Sequence, residues 1–134
     1  MSPNQKRTQN SRQRIGKRQT DLLSCLCNAL SISGDEQEVR EIVLREVRPL
    51  CQQVEVDAMG NVLATRIGSG QDKVRVMIAA HMDEVGFMLT QDDGDGLYAF
   101  SIVGGIDERQ LVGKPVIVGR EHIPGVIGAK AIHL

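Results

Sequence analysis

The chain has 134 residues and a net charge of −1 at pH 7, with 41% hydrophobic and 25% charged residues. This composition is typical of a folded globular protein and excludes a wholly disordered chain. Two phenylalanines, one tyrosine and no tryptophan argue against a platform on which nucleic-acid bases stack. The sequence contains no apolar run of about 18 residues, so it predicts no membrane span.

Residues 1–18 are predicted to form a disordered basic tail. The segment contains lysines and arginines, no acidic residue and no apolar periodicity, and it leaves the rest of the chain acidic. We interpret it as a solvated extension. The alternatives are a nucleic-acid-binding arm and an organelle-targeting peptide. The missing aromatics and the acidic body argue against nucleic acid as a partner.

The cysteines and the start of the chain bear on the cellular compartment. Cys25, Cys27 and Cys51 make an odd count, which favours reduced thiols in a cytoplasmic protein. The basic tail has no apolar stretch, so we do not expect it to be a secretory signal.

Two amphipathic helices are predicted after the tail. Thr20 is a plausible N-cap, and leucines then recur at helical spacing up to Leu30. Ser33 and Glu36 have the Ser-x-x-Glu spacing of a capping box, which predicts the start of a second helix. Pro49 marks the end of that helix.

The hydrophobic period then changes to two residues, which is typical of strands. Short strands are predicted around Val54 and Val56 and over residues 62–67, joined by a turn at 57–61. Residues 74–80 are almost wholly apolar. Such a run favours a strand buried on both faces of an α/β sheet.

The last third of the chain has the pattern of a small β structure. Strand-like runs at 85–90, 97–103 and 115–119 alternate with glycine-rich turns, which predicts part of a β-barrel or β-sandwich. Residues 92–96 have an Asp-x-Asp spacing seen in calcium loops, but they lack the length and terminal glutamate of an EF-hand. We interpret them as a hairpin tip.

The residues that point to chemistry are His81, Asp83 and Glu84, which directly follow the predicted buried strand. Functional groups collect where strands of open α/β sheets end. Residues i and i+2 of an extended segment share a face, so His81 and Asp83 are expected to project together. An imidazole can bind a metal ion through one nitrogen while a carboxylate accepts from the other. Glu84 could help to shape such a site. The alternative is a histidine hydrogen-bonded at a strand end.

Several short motifs, in this order and spacing, carry a resemblance to a known family. They are ISGDEQEV at 32–39, DAMGN at 57–61, AAHMDEVGFM at 79–88, GGID at 104–107, GVIG at 125–128 and HL at 133–134. Residues 20–134 resemble the N-terminal part of the glutamyl/deblocking aminopeptidases. These are dinuclear metallopeptidases of the tetrahedral-assembly (TET) type, and some members are labelled endoglucanase or cellulase.

The resemblance implies a split architecture of the α/β class. Residues 19–84 would begin an α/β peptidase domain around a mixed sheet, and residues 85–134 would begin an inserted, β-barrel-like dimerisation domain. His81 matches the family's first metal ligand, and Asp83 matches the carboxylate that orients it. His133 matches a strand end of the β domain rather than a ligand. The complete family site holds two zinc or cobalt ions and hydrolyses N-terminal residues from peptides.

The same resemblance implies that this chain is truncated. The family's bridging aspartate, its general-base glutamate and its remaining ligands come from later sequence. We therefore expect a member of the family that is inactive alone and forms homo-oligomers or pairs with a full-length relative. The alternative is a non-catalytic assembly or regulatory subunit that pairs with such a relative through its β segment.

Overall fold

A computed structural model describes residues 14–70 and 74–129 of the chain. Most of the predicted basic tail, namely residues 1–13, and His133 lie outside the described residues. Within the described part of the chain, neither helix has the length and apolar character needed to cross a membrane.

Two helices open the structure, α1 at Lys17–Asn28 and α2 at Gln37–Val47. Helix α1 begins before Thr20, so the prediction of Thr20 as its N-cap is wrong. The Gln19 side chain instead accepts a hydrogen bond from the backbone N–H of Gly16 at 3.0 Å, and the Thr20 hydroxyl donates to the Lys17 carbonyl at 2.8 Å. The two residues at the end of the predicted tail therefore form the first turn of α1.

The predicted capping box of α2 is also wrong. Glu36 is the N-cap residue, and no side chain caps the helix there. The Oε1 atom of Glu36 accepts from the backbone N–H of Gly34 at 2.6 Å, and the Ser33 hydroxyl donates to Asp83. The Ser33 hydroxyl therefore donates to an acceptor that is distant in the sequence and does not cap α2.

Among the described residues, three antiparallel hairpins follow the helices, each a separate two-stranded sheet. Their strands are β1 Gln53–Val56 with β2 Val62–Thr65, β3 Gly86–Gly94 with β4 Leu97–Val103, and β5 Pro115–Val118 with β6 Ile123–Val126. A short 3-10 helix at Glu108–Gln110 lies between the second and third hairpins. The predicted hairpin tip is confirmed, because Gly94 pairs with Leu97 across a turn at residues 95–96. Strand β6 was not predicted.

Residues 74–80 depart most from the prediction. They form no strand and are exposed along their whole length. A β-strand needs neighbouring strands to accept its backbone hydrogen bonds, and no described strand pairs with this segment. The prediction of a buried strand is therefore wrong for the described structure, although the α/β class of the chain is confirmed.

The small core lies beside the linker between α1 and α2. Ala29, Val39 and Ile127 are its buried hydrophobic residues, and Ser31 is buried with them. Ala29 and Ile127 also line a cavity of about 690 Å³ whose walls include β3 and β5. The linker is thus held between the helices and the β hairpins, and it is the element that reaches the candidate site.

Candidate functional site

The backbone of the α1–α2 linker holds the segment that follows residues 74–80. The Glu84 N–H donates to the Ser31 carbonyl at 2.8 Å, and Ile32 forms an isolated parallel bridge with Glu84. Gly86 is buried directly after this bridge, where a Cβ atom would meet the Cδ1 atom of Ile32. Glycine at this position therefore permits the close approach of the linker to the start of β3.

His81 and Asp83 lie together, as their spacing predicts. The Nδ1 atom of His81 is 2.8 Å from the Asp83 carbonyl oxygen and 3.3 Å from its Oδ1 atom. A carbonyl oxygen can only accept, so Nδ1 carries the proton in this arrangement. The Nε2 atom of the neutral ring then has a free lone pair, and the side chain is 85% exposed. This is the tautomer that a metal-binding histidine needs.

Asp83 is held by a second partner on its other oxygen. The Ser33 hydroxyl donates to Asp83 Oδ2 at 2.5 Å. This hydrogen bond is the largest cause that lowers the pKa of Asp83 below its ordinary value, and His81 lowers it further. The carboxylate is therefore ionised at neutral pH and able to accept from the imidazole. Sequence reasoning missed Ser33, because the serine lies 50 positions before its acceptor.

The donor set for a divalent metal ion is incomplete in the described residues. Residues 14–70 and 74–129 contain no group of three His, Cys, Asp or Glu side chains that could hold an ion. His81 fits as one ligand through Nε2, with Asp83 beside its other nitrogen, and Glu84 is an exposed neighbour. A catalytic zinc site needs about three protein ligands. The chain therefore presents one corner of such a site.

His122 lies in the turn between β5 and β6 with a positive φ of 54°. Its Nε2 atom is also 2.9 Å from Oε1 of Glu38 on α2. This contact lies away from His81 along the chain and joins two elements of the fold. Nothing in the local sequence of either residue signals the contact.

Comparison with known proteins places these features in a family. The family model of the M42 glutamyl aminopeptidases matches residues 60–134. A putative aminopeptidase of Acetivibrio thermocellus is 37% identical over 109 residues, which cover 81% of this chain and 31% of that protein. The chain therefore spans about a third of the length of this relative.

Solved structures agree with the sequence match. A TET aminopeptidase from a marine-sediment Thaumarchaeota archaeon matches with a TM-score of 0.70 and 32% identity, over 86% of this chain and 32% of that one. The dodecameric PhTET1-12s matches with a TM-score of 0.67 and 36% identity, over 84% of this chain and 34% of that one. By sequence and by fold, the chain belongs to the M42 glutamyl aminopeptidase family.

Proposed function

We propose that this chain supplies one part of a metal-dependent aminopeptidase that removes N-terminal residues from peptides. The observation that carries the proposal is the pairing of His81 with Asp83, which leaves Nε2 of the imidazole free and exposed. In this proposal, residues 19–84 begin the peptidase domain and residues 85–134 begin a β-rich dimerisation domain.

The two site residues have distinct roles in the proposal. His81 would hold a zinc or cobalt ion through Nε2, and Asp83 would fix the ring by accepting from the Nδ1 side. A divalent metal ion held there would supply the activation of water for attack on the peptide bond. Asp83 acts through His81 and is a positioning residue, and the hydrogen bond from Ser33 lowers the pKa of its carboxyl group.

We further propose that the 134-residue chain is inactive by itself. The described residues bring together one candidate ligand, His81, and the carboxylate that positions it, and they contain no group of three side chains that could hold a metal ion. An incomplete catalytic group retains only a residual rate.

We also propose a cytoplasmic location for the protein. The free thiols of Cys25, Cys27 and Cys51 in the described residues support it.

Two activity measurements test this proposal. The purified chain is first assayed with added zinc or cobalt and a panel of aminoacyl chromogenic substrates. It should show no metal-dependent turnover, that is, no turnover that is sensitive to EDTA. A graft in which residues 20–134 replace the matching third of the Acetivibrio thermocellus relative should be active if that relative is. His81→Ala should lower the activity of the graft by about 10²-fold or more, since metal ligation is lost.

The matched control is His133→Ala in the same graft. His133 does not match a ligand in the resemblance, so its loss should leave the metal dependence unchanged. An active graft that tolerates His81→Ala would remove His81 from the site. Metal-dependent turnover by the chain alone would show that it forms a site from other residues.

A second candidate function is a non-catalytic assembly subunit that pairs with a full-length relative. The exposed residues 74–80 and the two-stranded sheets, whose outer edges pair with no other described strand, favour it. The dodecameric relative also supports homo-oligomer formation. Co-expression with a full-length M42 aminopeptidase should then yield a stable complex, whereas a monodisperse monomer in both conditions would contradict this function.

A further inference from the structure

The tip of the β3–β4 hairpin contains two Asp-Gly peptide bonds, Asp93–Gly94 and Asp95–Gly96. We infer that Asp95–Gly96 is a site of spontaneous covalent modification, where the aspartate converts to isoaspartate through a cyclic succinimide. Asp93–Gly94 is protected from the same reaction by its hydrogen bonds. The inference is independent of the proposed function, because it involves no residue of the candidate site.

The modification needs only the aspartate, the residue that follows it and water. The backbone nitrogen of the following residue attacks the Cγ atom of the neutral carboxyl group, so that an N–C bond forms and the C–OH bond breaks. The hydroxyl group leaves with the proton of the nitrogen as one water molecule. Water then opens the ring at either carbonyl group and gives aspartate or isoaspartate. Glycine favours the reaction because it has no Cβ atom to hinder the attack.

The structure leaves both reacting groups of Asp95–Gly96 without a partner. Gly94 pairs with Leu97, so Asp95 and Gly96 form a two-residue loop. Their φ angles are +52° and +77°, as in the type I′ turn that Asp-Gly favours. Among residues 74–129, none hydrogen-bonds to the Gly96 N–H or to the Asp95 carboxylate. The two groups can therefore meet through local rotation in an exposed turn, where opening costs least.

The neighbouring Asp93–Gly94 has the same chemistry but different contacts. The Gly94 N–H donates to Oδ1 of Asp92 at 2.8 Å. Oδ1 of Asp93 accepts from Nε2 of Gln91 at 2.5 Å. Gly94 is also the last residue of β3. The nitrogen and the carboxyl group must each give up a hydrogen bond before they can meet, so this peptide bond should react more slowly.

Isoaspartate at position 95 would change the end of the hairpin. The backbone of isoaspartate runs through the former side-chain carbon, which adds one methylene group between Asp95 and Gly96. A two-residue hairpin loop needs a defined pair of backbone conformations. The longer backbone should therefore break the pairing of Gly94 with Leu97 at this end of the sheet.

The test compares the two aspartates in the 134-residue chain during warm storage. Isoaspartate at each position is quantified by electron-transfer fragmentation of the peptides in a mass spectrometer. We expect isoaspartate to form at Asp95 about tenfold faster than at Asp93, which is the factor for the release of one hydrogen bond to a carboxylate. In protein kept unfolded in guanidinium chloride, the two rates should be similar, since the hydrogen bonds are absent.

Two positions separate the chemistry from the contacts. Asp95→Gly retains a residue that accepts a positive φ, and it should abolish the modification at position 95. Asp92→Ala removes the acceptor of the Gly94 N–H and should raise the rate at Asp93. Asp92→Asn is its matched control, because the amide oxygen can still accept and the rate at Asp93 should stay near that of the unsubstituted protein.

The outcomes decide between structure and local sequence. A faster rate at Asp95 that becomes similar to the rate at Asp93 on unfolding supports the inference. Equal rates in the folded protein, or no isoaspartate at position 95, would overturn it. The same difference in the folded and the unfolded chain would also overturn it, because the hydrogen bonds would then play no part.

None of these outcomes depends on a metal ion or on activity of the graft.

Discussion

Glu38 and His122 form a hydrogen-bonded pair at 2.9 Å, although they are 84 positions apart in the sequence. The second oxygen of Glu38 accepts from the Leu30 N–H, also at 2.9 Å. Beside this pair, Arg120 and Asp35 form an ion pair at 2.9 Å. One carboxylate on α2 therefore ties together the α1–α2 linker, the helix and the turn between β5 and β6.

The pair should make a measurable contribution to stability. A double-mutant cycle with Glu38→Ala and His122→Ala should give a coupling energy of about 0.5–1 kcal/mol, at the upper end for exposed pairs. The side chains are 43% and 33% exposed, so screening by water limits the value. Urea unfolding of the four proteins measures it. The control is the more exposed pair Lys17–Asp21, for which we expect a smaller coupling energy. A coupling energy of zero for Glu38–His122 would show that the contact does not persist in solution.

Acid should weaken this connection. The hydrogen bond with His122 is the largest cause that lowers the pKa of Glu38 below its ordinary value of 4.5, and the Leu30 N–H lowers it further. The folded state therefore favours the ionised carboxylate. Its contribution to stability is fully present above pH 4.5 and is lost as the pH falls through the lowered folded value.

The measurement is the free energy of unfolding as a function of pH for the unsubstituted protein and for Glu38→Gln. The loss should appear as a difference between the two curves that changes with pH in the acid range. Several other charged side chains lie near the pair or line the same cavity, and both proteins contain them. They are Asp35, Glu41, Glu84, Arg120 and Glu121. The lowered pKa values of Asp57, Asp83 and Asp107 act in the same direction in both proteins and cancel in the difference. Parallel curves through the acid range would contradict the role of Glu38.

The turn of the first hairpin should depend on glycine at position 60. Gly60 has a φ of +87°, and a Cβ atom there would meet the guanidinium of Arg40 on α2. Arg40 also donates to the Gly60 carbonyl at 3.2 Å. Gly60→Ala should therefore destabilise the protein by about 1–3 kcal/mol, through backbone strain and a displaced arginine. Gly68→Ala is the matched control, because no heavy atom lies within 4 Å of its added Cβ and its φ is not positive. Equal denaturation midpoints for the two variants would contradict this account.

Local patterns predicted much of this fold, and distant partners explain where they failed. Patterns that act within about ten residues were sufficient for several elements. The apolar stripe of α2 predicted that helix, and the period-two runs around the turns at Asp57 and Asp95 predicted the strands of the first two hairpins. Ser33 had the correct spacing for a cap, but a carboxylate 50 positions away provided a charged acceptor. A hydrogen bond to a charged group is stronger than one to a neutral group, which explains why the distant partner was preferred.

The candidate site was likewise predicted only where its contacts are local in the sequence. The i, i+2 spacing of His81 and Asp83 was sufficient to place both side chains together. It did not reveal Ser33 as the partner of Asp83, nor the pairing of Glu38 with His122, because neither contact leaves a local signal. Residues 74–80 were predicted to be buried on composition alone. Composition shows that a segment would favour burial, but it does not supply the strands that would cover it.

The exposed segment at residues 74–80 should drive self-association. Val76 is 81% exposed and Ile78 is 93% exposed, in a run with little charge. Exposed apolar segments of this kind associate with one another, and an added charge disrupts such contacts. Val76→Lys combined with Ile78→Lys should therefore reduce the concentration-dependent increase in mass seen by light scattering. Because the segment packs against no described strand, the same substitutions should change the unfolding free energy by only about 0.5 kcal/mol or less.

Met59→Lys is the control for that experiment. Met59 is 85% exposed in the turn between β1 and β2, so its replacement adds positive charge and removes an exposed apolar side chain at a different place. If Met59→Lys reduces the association as strongly, net charge rather than the segment is responsible. A large loss of stability in the Val76 and Ile78 variant would instead mean that residues 74–80 are covered in solution. Their role would then be that of a core strand, as the composition of the segment first indicated.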